Sequence, residues 1–394
     1  MSAAPPLLVA YRALGLGDFL TGVPALRALA RAFPEHRRVL AAPRAIAPLA
    51  ALSGAVDAVA DTAELAPLPP ALRGADVAVN LHGRGPQSHR VLLDAAPRRL
   101  LAFAHPDAWP RGPRWLAGEH EVARWCRMLA GYGIEADPTA LDLPAPAVAP
   151  PAGAAGATVI HPGAASGARR WPAERWAAVA RAERSAGRPV VVTGSAEERA
   201  TALAVARDAA LPQSAVLAGA TDLEGLAATV AAAARVVCGD TGIAHLAVAM
   251  GTPSVVLFGP TPPGEWGPPP ERPWHRALWA GRLGDPHADV PDPGLLEIAP
   301  ADVVRALAGL TDASLASRWG RDKANPTREA VPMGITDKIT GRAKKAAGDL
   351  ADDSSLRREG RQEERKGEAK DELSQAQERA DAKADEVANL ERKT

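Results

Sequence analysis

Cysteine is scarce in this chain. Only Cys126 and Cys238 occur among 394 residues, too few for a disulfide framework and not enough for a structural zinc site on their own. An excess of one charge sign is also missing. The 46 basic residues meet 46 acidic ones, for a formal net charge of +0, so the basic balance of a nucleic-acid-binding surface is absent. No basic segment precedes an apolar run at the start, so a secretory leader is not expected. Long hydrophobic runs are lacking too. The best two, 221–237 and 243–259, break at glycine, proline or charge before they reach membrane-spanning length. These absences predict a cytoplasmic protein with no nucleic-acid partner and no transmembrane segment. Lysine is missing from residues 1–320, whose 29 basic side chains are all arginine. Residues 321–394 hold all eight lysines, 34 charges in total, and no Phe, Tyr or Trp. A boundary near residue 320 follows.

What is present is an alternation of short apolar runs and amphipathic stretches. Strands are expected at 7–11, 38–42, 56–60, 75–81 and 99–103, with helices at 18–32, 45–52, 87–95 and 119–130. The run Pro144–Gly156, PAPAVAPPAGAAG, has linker composition. The alternation then restarts. Strands are expected at 157–161, 189–193, 215–218, 235–238 and 254–258, and helices at 173–185, 196–209, 223–233 and 242–249, with a closing helix at 301–310. The proline-rich segment 259–273 reads as a rigid extended loop. This pattern predicts an α/β protein of two open sheets with a cleft between them. Ligands would bind beyond the carboxyl ends of strands, in the loops after the first and fourth strand of each unit.

Three such loops hold candidate residues. In Arg12-Ala-Leu-Gly-Leu-Gly-Asp18, Gly15 and Gly17 let a ligand approach the backbone, and Asp18 is either a first-turn acid or a catalytic carboxylate. The loop is not a dinucleotide fingerprint, because position 20 is Leu20, and no Lys-Ser/Thr pair makes it a Walker A loop. In the stretch from His161 to Pro172, Arg169 and Arg170 can offer planar forks to a phosphate or lie solvated at the surface. In Cys238-Gly-Asp-Thr-Gly-Ile-Ala-His245, the free N–H groups of a helix start and the Thr241 hydroxyl form an anion cradle. His245 lies one turn deeper, pointing at that cradle or into the core. Glu224 opens the preceding helix, where it can accept from ribose hydroxyls or serve only the helix field. No HxH or HExxH spacing and no DxD in the cleft loops suggests a metal, and no Gly-x-Ser-x-Gly suggests a hydrolase.

LLVAYRALGLGDFLTGVPALRAL, HPGAASGARRWPAERWA and CGDTGIAHLAVAMGTPSVVLFGPTPP stand in that order. By these motifs residues 7–310, about three quarters of the chain, resemble glycosyltransferase family 9, the heptosyltransferase family. The resemblance implies a GT-B architecture: a Rossmann-like acceptor-side domain at 1–143, a linker at 144–156 and a Rossmann-like nucleotide-sugar domain at 157–320. It implies inverting, metal-independent sugar transfer without a cofactor, from a nucleotide-diphosphate donor to a glycan, lipid-linked or small-molecule acceptor. ADP-heptose is one candidate donor. Asp18 would be the general base and Arg169 would stabilise the leaving diphosphate, at a position where the family usually has lysine. Gly15, Gly17 and Arg170 would line the donor site, Thr241 and Gly242 would contact the diphosphate, and Asp240 would shape their loop. Glu224 would hold the ribose and His245 would line the donor pocket. The stretch 80–88 departs from the lipopolysaccharide enzymes, so the acceptor is not carried over, although His82, Arg84 and Gln87 are candidates to touch it. Alternatives are a nucleotide-sugar-binding protein without transfer and a GT-B epimerase. The protein would be cytoplasmic or peripheral at the inner face of the membrane. The tail, from about Met333, resembles the CsbD-like stress-protein family and is expected to be a charged helical or disordered appendage at 321–394.

Overall fold

The computed structural model describes residues 4–310. The expected tail at 321–394, with its CsbD-like stretch, lies outside the described residues.

The first unit runs β1 (Leu7–Tyr11), α1 (Leu16–Ala32), β2 (Arg37–Ala42), α2 (Ala47–Ser53), β3 (Ala58–Asp61), β4 (Val77–Asn80), α3 (Gln87–Asp94), β5 (Arg99–Leu101) and α4 (Glu121–Ala130). The second runs β6 (Thr158–His161), α5 (Ala173–Ser185), β7 (Val190–Val192), α6 (Arg199–Asp208), α7 (Leu223–Ala232), β8 (Arg235–Gly239), α8 (Gly242–Ala249), β9 (Ser254–Phe258), α9 (Pro263–Trp266), β10 (His275–Trp279), α10 (Pro293–Glu297) and α11 (Pro300–Ala308). Each unit holds one five-stranded sheet, ordered β3-β2-β1-β4-β5 and β10-β9-β8-β6-β7, and every strand pair is parallel. β4, β6, β8 and β9 are buried along their whole length. Their near-continuous apolar runs are what a parallel sheet covered on both faces requires.

The strand orders set two switch points, β1 beside β4 and β6 beside β8. The loops leaving the paired strand ends diverge there and open a crevice. Register brings Tyr11 level with Asn80 and His161 level with Cys238, so the candidate loops start at matched heights. The helix starting at Leu16 contains Pro24 and buries Phe19, Leu20, Val23 and Leu26. It packs on α8 and α4, so the two units share apolar core.

Two expectations differ from the structure. The segment 215–218 is not a strand, because only Val216 pairs, with Val192, after a 3-10 turn at Gln213–Ala215 that leaves too little extended chain for a ladder. The segment 259–273 is not wholly extended: Pro263–Trp266 forms a helical turn, for which proline at a first helical position is suited. β10, among proline and tryptophan, was not expected as a strand.

Both thiols are free and buried. Burial pushes Cys126 up to about 12 and raises Cys238 as well, so neither is a thiolate nucleophile at neutral pH. Among the described residues no helix is long and apolar enough to cross a membrane, and no group of three or more His, Cys, Asp or Glu side chains could hold a metal.

Candidate active site

The helix α1 begins at Leu16 with Gly15 as its N-cap. Asp18 is therefore the third residue of the first turn, not the cap. Its side chain is 27% exposed, at the mouth of the cleft. Burial raises its carboxyl above the ordinary value, Arg12 opposes this, and Glu121 adds to it.

Behind Asp18 lies a buried group that the sequence did not single out. Arg12 is 1% exposed. Its guanidinium donates to the Asp18 and Leu81 carbonyls, to Thr21 Oγ1 at 3.1 Å and to Glu121 Oε1 at 3.0 Å. It lies 3.5 Å from Asp18 Oδ1 and 5.0 Å from the Trp125 ring centroid. Glu121 also accepts from Arg124 and, at 2.8 Å, from Trp125 Nε1. Burial alone would raise the Glu121 carboxyl, but Arg12 and Arg124 hold it below its ordinary value. A charge in a glycine loop just ahead of Asp18 was a faint signal for Arg12. Nothing local pointed to Glu121, which reaches it from 109 residues away.

Across the cleft, Thr241 caps α8 in an extended conformation, and its side chain makes no capping hydrogen bond. The hydroxyl and the N–H groups of Gly242 and Ile243 remain available to an anion, while Ala244 N bonds back to the Thr241 carbonyl at 2.9 Å. Arg169 ends a 3-10 turn after β6. Its Nη1 lies 3.3 Å from the Asp240 carbonyl oxygen and 3.8 Å from Asp240 Oδ2, while its buried Nε has no partner. Burial pushes the Asp240 carboxyl up to about 6 against the pull of Arg169. His245 sits edge-on to Trp266, with ring centroids 5.9 Å apart, and burial pushes it down to about 4, leaving it neutral at pH 7. Glu224 is in the first turn of α7, where Asp222 is the cap; Glu224 is half-buried. Arg170 turns back onto its own loop, donating to the Ala164 carbonyl at 2.9 Å and the Ala165 carbonyl at 3.3 Å.

Gly15 and Gly17 differ in what they face. Gly15 lines a cavity of about 550 Å³ with Ala13, Leu14, Pro43, Asp61, Thr62 and Glu64, and a Cβ on it would stand 3.7 Å from Asp18 Oδ2. Gly15 thus stands between that cavity and the Asp18 carboxyl. Gly17 faces the second unit, where a Cβ would stand 3.0 Å from His245 Cδ2. His82 stacks on Tyr11 with centroids 4.6 Å apart, and burial pushes it down to about 4. Gln87 lines a separate cavity of about 360 Å³ with Arg73 and Arg90.

The units are pinned together around this cleft. His120 accepts from Val122 N through Nδ1 at 3.3 Å and donates through Nε2 to the Gly267 carbonyl at 3.0 Å. Arg272 clasps Asp142 with contacts of 2.6 and 3.1 Å.

Two parallel sheets with their strand ends turned to a common cleft make the GT-B architecture. Two solved Escherichia coli structures share it: ADP-heptose lps heptosyltransferase II, with TM-score 0.62, 22% identity and coverage of 79% of this chain and 99% of that one, and heptosyltransferase WaaC with ADP, with TM-score 0.59, 19% identity and coverage of 77% and 99%. Residues 116–282 match the family model of glycosyltransferase family 9 (heptosyltransferase). Lipopolysaccharide heptosyltransferase 2 of Salmonella typhimurium is 36% identical over 106 residues, which make up 26% of this chain. That match spans 30% of the relative's length.

Proposed function

We propose that the chain is an inverting, metal-independent glycosyltransferase that moves a sugar from a nucleotide-diphosphate donor to an acceptor hydroxyl. The observation that supports it most is the meeting of two helix starts at one cleft: α1 brings Asp18, and α8 brings an anion cradle beside Arg169. The sugar would sit beside the point where they meet.

In the reaction, the acceptor oxygen attacks the anomeric carbon while its proton passes to the Asp18 carboxylate. The bond from that carbon to the diphosphate oxygen breaks, and the configuration inverts. Negative charge grows on the departing diphosphate. Arg169, the Thr241 hydroxyl and the first N–H groups of α8 stabilise it where it develops. Asp240 holds Arg169 in place, neutral His245 and Trp266 close the donor pocket, and Glu224 accepts from the ribose. The solved relatives that bind ADP or ADP-heptose make adenine the first base to test and heptose the first sugar. The acceptor enters from the cavity beside Gly15.

The test is a binding titration with ADP, GDP, UDP and TDP without added metal, followed by the nucleotide sugars of the base selected. Selective binding that Arg169→Ala weakens for the diphosphate far more than for the nucleoside supports the reading. Asp18→Asn should keep nucleotide binding and lose turnover. No binding to any of the four by folded protein overturns it, and an active Asp18→Asn variant removes the base.

A further inference from the structure

We propose that Arg12, locked by Glu121, is the positioning residue for Asp18: it fixes one carboxylate oxygen and the turn that carries it, and leaves the other oxygen on the Gly15 side. The inference rests on the assignment of Asp18 as the base.

Three observations meet here. The first is direction. Arg12 Nη2 lies 3.5 Å from Asp18 Oδ1, whereas Oδ2 is the oxygen nearest to Gly15, which lines the cavity of about 550 Å³. The second is rigidity. Arg12 also donates to the Asp18 carbonyl, to Leu81 and to Thr21, so it holds the backbone as well as the side chain of the first turn of α1. Gly22 makes room for it, since a Cβ there would stand 3.1 Å from Arg12 Cδ. The third is energetic. A buried ion pair such as Arg12–Glu121 contributes little net stability compared with apolar residues of similar volume. Core stability alone therefore does not call for a charged pair against this carboxylate.

The pair also stands next to a contact between the two units. Glu121 is the first residue of α4, next to His120, whose ring bonds to the Gly267 carbonyl of the second unit. Seating that contact seats Glu121, then Arg12, then Asp18. Other titratable groups stand at this end of the cleft: His120 is engaged by Val122 N and the Gly267 carbonyl, and His82 and His245 are both pushed down to about 4 by burial, so those two carry no charge over the working pH range.

The experiment compares the full chain with Glu121→Gln, Arg12→Lys, Arg12→Met/Glu121→Gln and Asp18→Asn. The double variant keeps buried volume and removes both members of the pair, and Arg124 keeps its bond to the Glu119 carbonyl, so it folds where Arg12→Met alone could fail. One readout is the titration of the Asp18 carboxyl by carbon-13 NMR, assigned by its loss in Asp18→Asn. The other is the kcat and KM for the nucleotide sugar selected by binding. Glu121→Gln should move the Asp18 midpoint down, because a neighbouring negative charge is removed, and the double variant should move it up. The double variant should lose at least about ten-fold in kcat, as expected for a displaced general base, with KM changed less than about two-fold, and Arg12→Lys should recover part of the rate. An unmoved Asp18 midpoint in Glu121→Gln, or an unchanged kcat in the double variant while Asp18→Asn is inactive, would overturn the positioning role and leave the base standing. Turnover by Asp18→Asn would overturn the base and this role with it.

Discussion

Gly17 and Gly242 pack backbone to backbone across the cleft. A Cβ on Gly17 would stand 3.4 Å from the Gly242 Cα, and one on Gly242 would stand 3.1 Å from the Gly17 nitrogen. The helix start that bears Asp18 thus touches the helix start that forms the anion cradle. Gly17→Ala should separate folding from closure. Alanine in a helix is favoured over glycine by about 0.5–1 kcal/mol, so the melting temperature should hold or rise. The new methyl pushes on His245 and parts the two helices by a few tenths of an ångström. Since a misplacement of about 1 Å costs on the order of a hundred-fold in rate, turnover should fall by about ten-fold. A melting curve and a rate measured on the same sample check it, and full activity would mean that the helices need not meet.

Donor binding should depend on pH through Asp240. Its carboxyl is pushed up to about 6 by burial, so it is ionised at pH 8 and mostly protonated at pH 5. Protonation removes a negative charge beside Arg169 and the bound diphosphate. Affinity for a nucleotide sugar should therefore rise as pH falls through about 6. The sugar diester is the right probe, because a terminal phosphate itself titrates near pH 6. Asp240→Asn should bind more tightly than the parent at pH 8 and lose the step. Calorimetric titrations at several pH values decide it, and the same step in Asp240→Asn would assign it to another group.

The scaffold was more legible than the site. The termini of α5 and α8 match expectation because Trp171-Pro172 and Gly239–Gly242 punctuate them locally. The switch-point loops were legible because parallel strands end in glycine-rich turns. β10 was not, since a strand at a sheet edge between proline and tryptophan has no strong period of its own. Asp18, Arg169 and Thr241 stand in loops whose composition signals a ligand. Arg12 opens one of these loops, but its meaning and that of Glu121 come from a pairing across 109 residues that no local pattern encodes. Arg170 is the opposite case: the sequence offers it as an anion fork, and the fold turns it onto the Ala164 carbonyl.

Stability should be separable from activity at Glu183. This residue is fully buried beneath the second sheet, on the edge away from the cleft. It accepts from Thr158 Oγ1 at 2.5 Å and pairs with Arg188 at 3.0 Å and Arg235 at 4.0 Å. Burial alone would raise its carboxyl, but the two arginines hold it below the ordinary value. An acid depressed in the folded state contributes stability above its unfolded value and loses it as pH falls below that value. Glu183→Ala strands two buried cations and should cost about 3–5 kcal/mol. Urea unfolding at pH 7 measures the loss, and the deficit relative to the parent should shrink on going toward pH 4. The remaining folded fraction should keep its affinity for nucleotide, because no cleft residue touches this cluster. A loss of affinity in folded protein would contradict that separation.

The acceptor should be uncharged near its reactive hydroxyl. The cavity beside Gly15 is lined by Asp61 and Glu64, and none of its lining residues is basic. Asp61 is partly engaged, since its Oδ1 accepts from Arg44 N at 2.9 Å, but both carboxylates face solvent. A phosphate placed there would meet two like charges, and even at water-like screening each pair within about 4 Å opposes binding by on the order of 1 kcal/mol. Neutral polyol acceptors should therefore outcompete their phosphorylated counterparts in kcat/KM by about ten-fold or more. The double variant Asp61→Asn/Glu64→Gln should narrow that ratio mainly by improving the phosphorylated acceptor, while donor affinity stays constant because these residues lie in the first unit, at the end of β3 and in the loop after it. The preference should weaken with added salt, since exposed charges are screened over about 8–10 Å at physiological ionic strength. A panel of matched neutral and phosphorylated sugars, run at two salt concentrations, gives the ratio directly. If the phosphorylated sugar is the better acceptor and the double variant leaves the ratio unchanged, the acceptor does not enter by this cavity, and the loop after β4 with Arg84 becomes the wall to test.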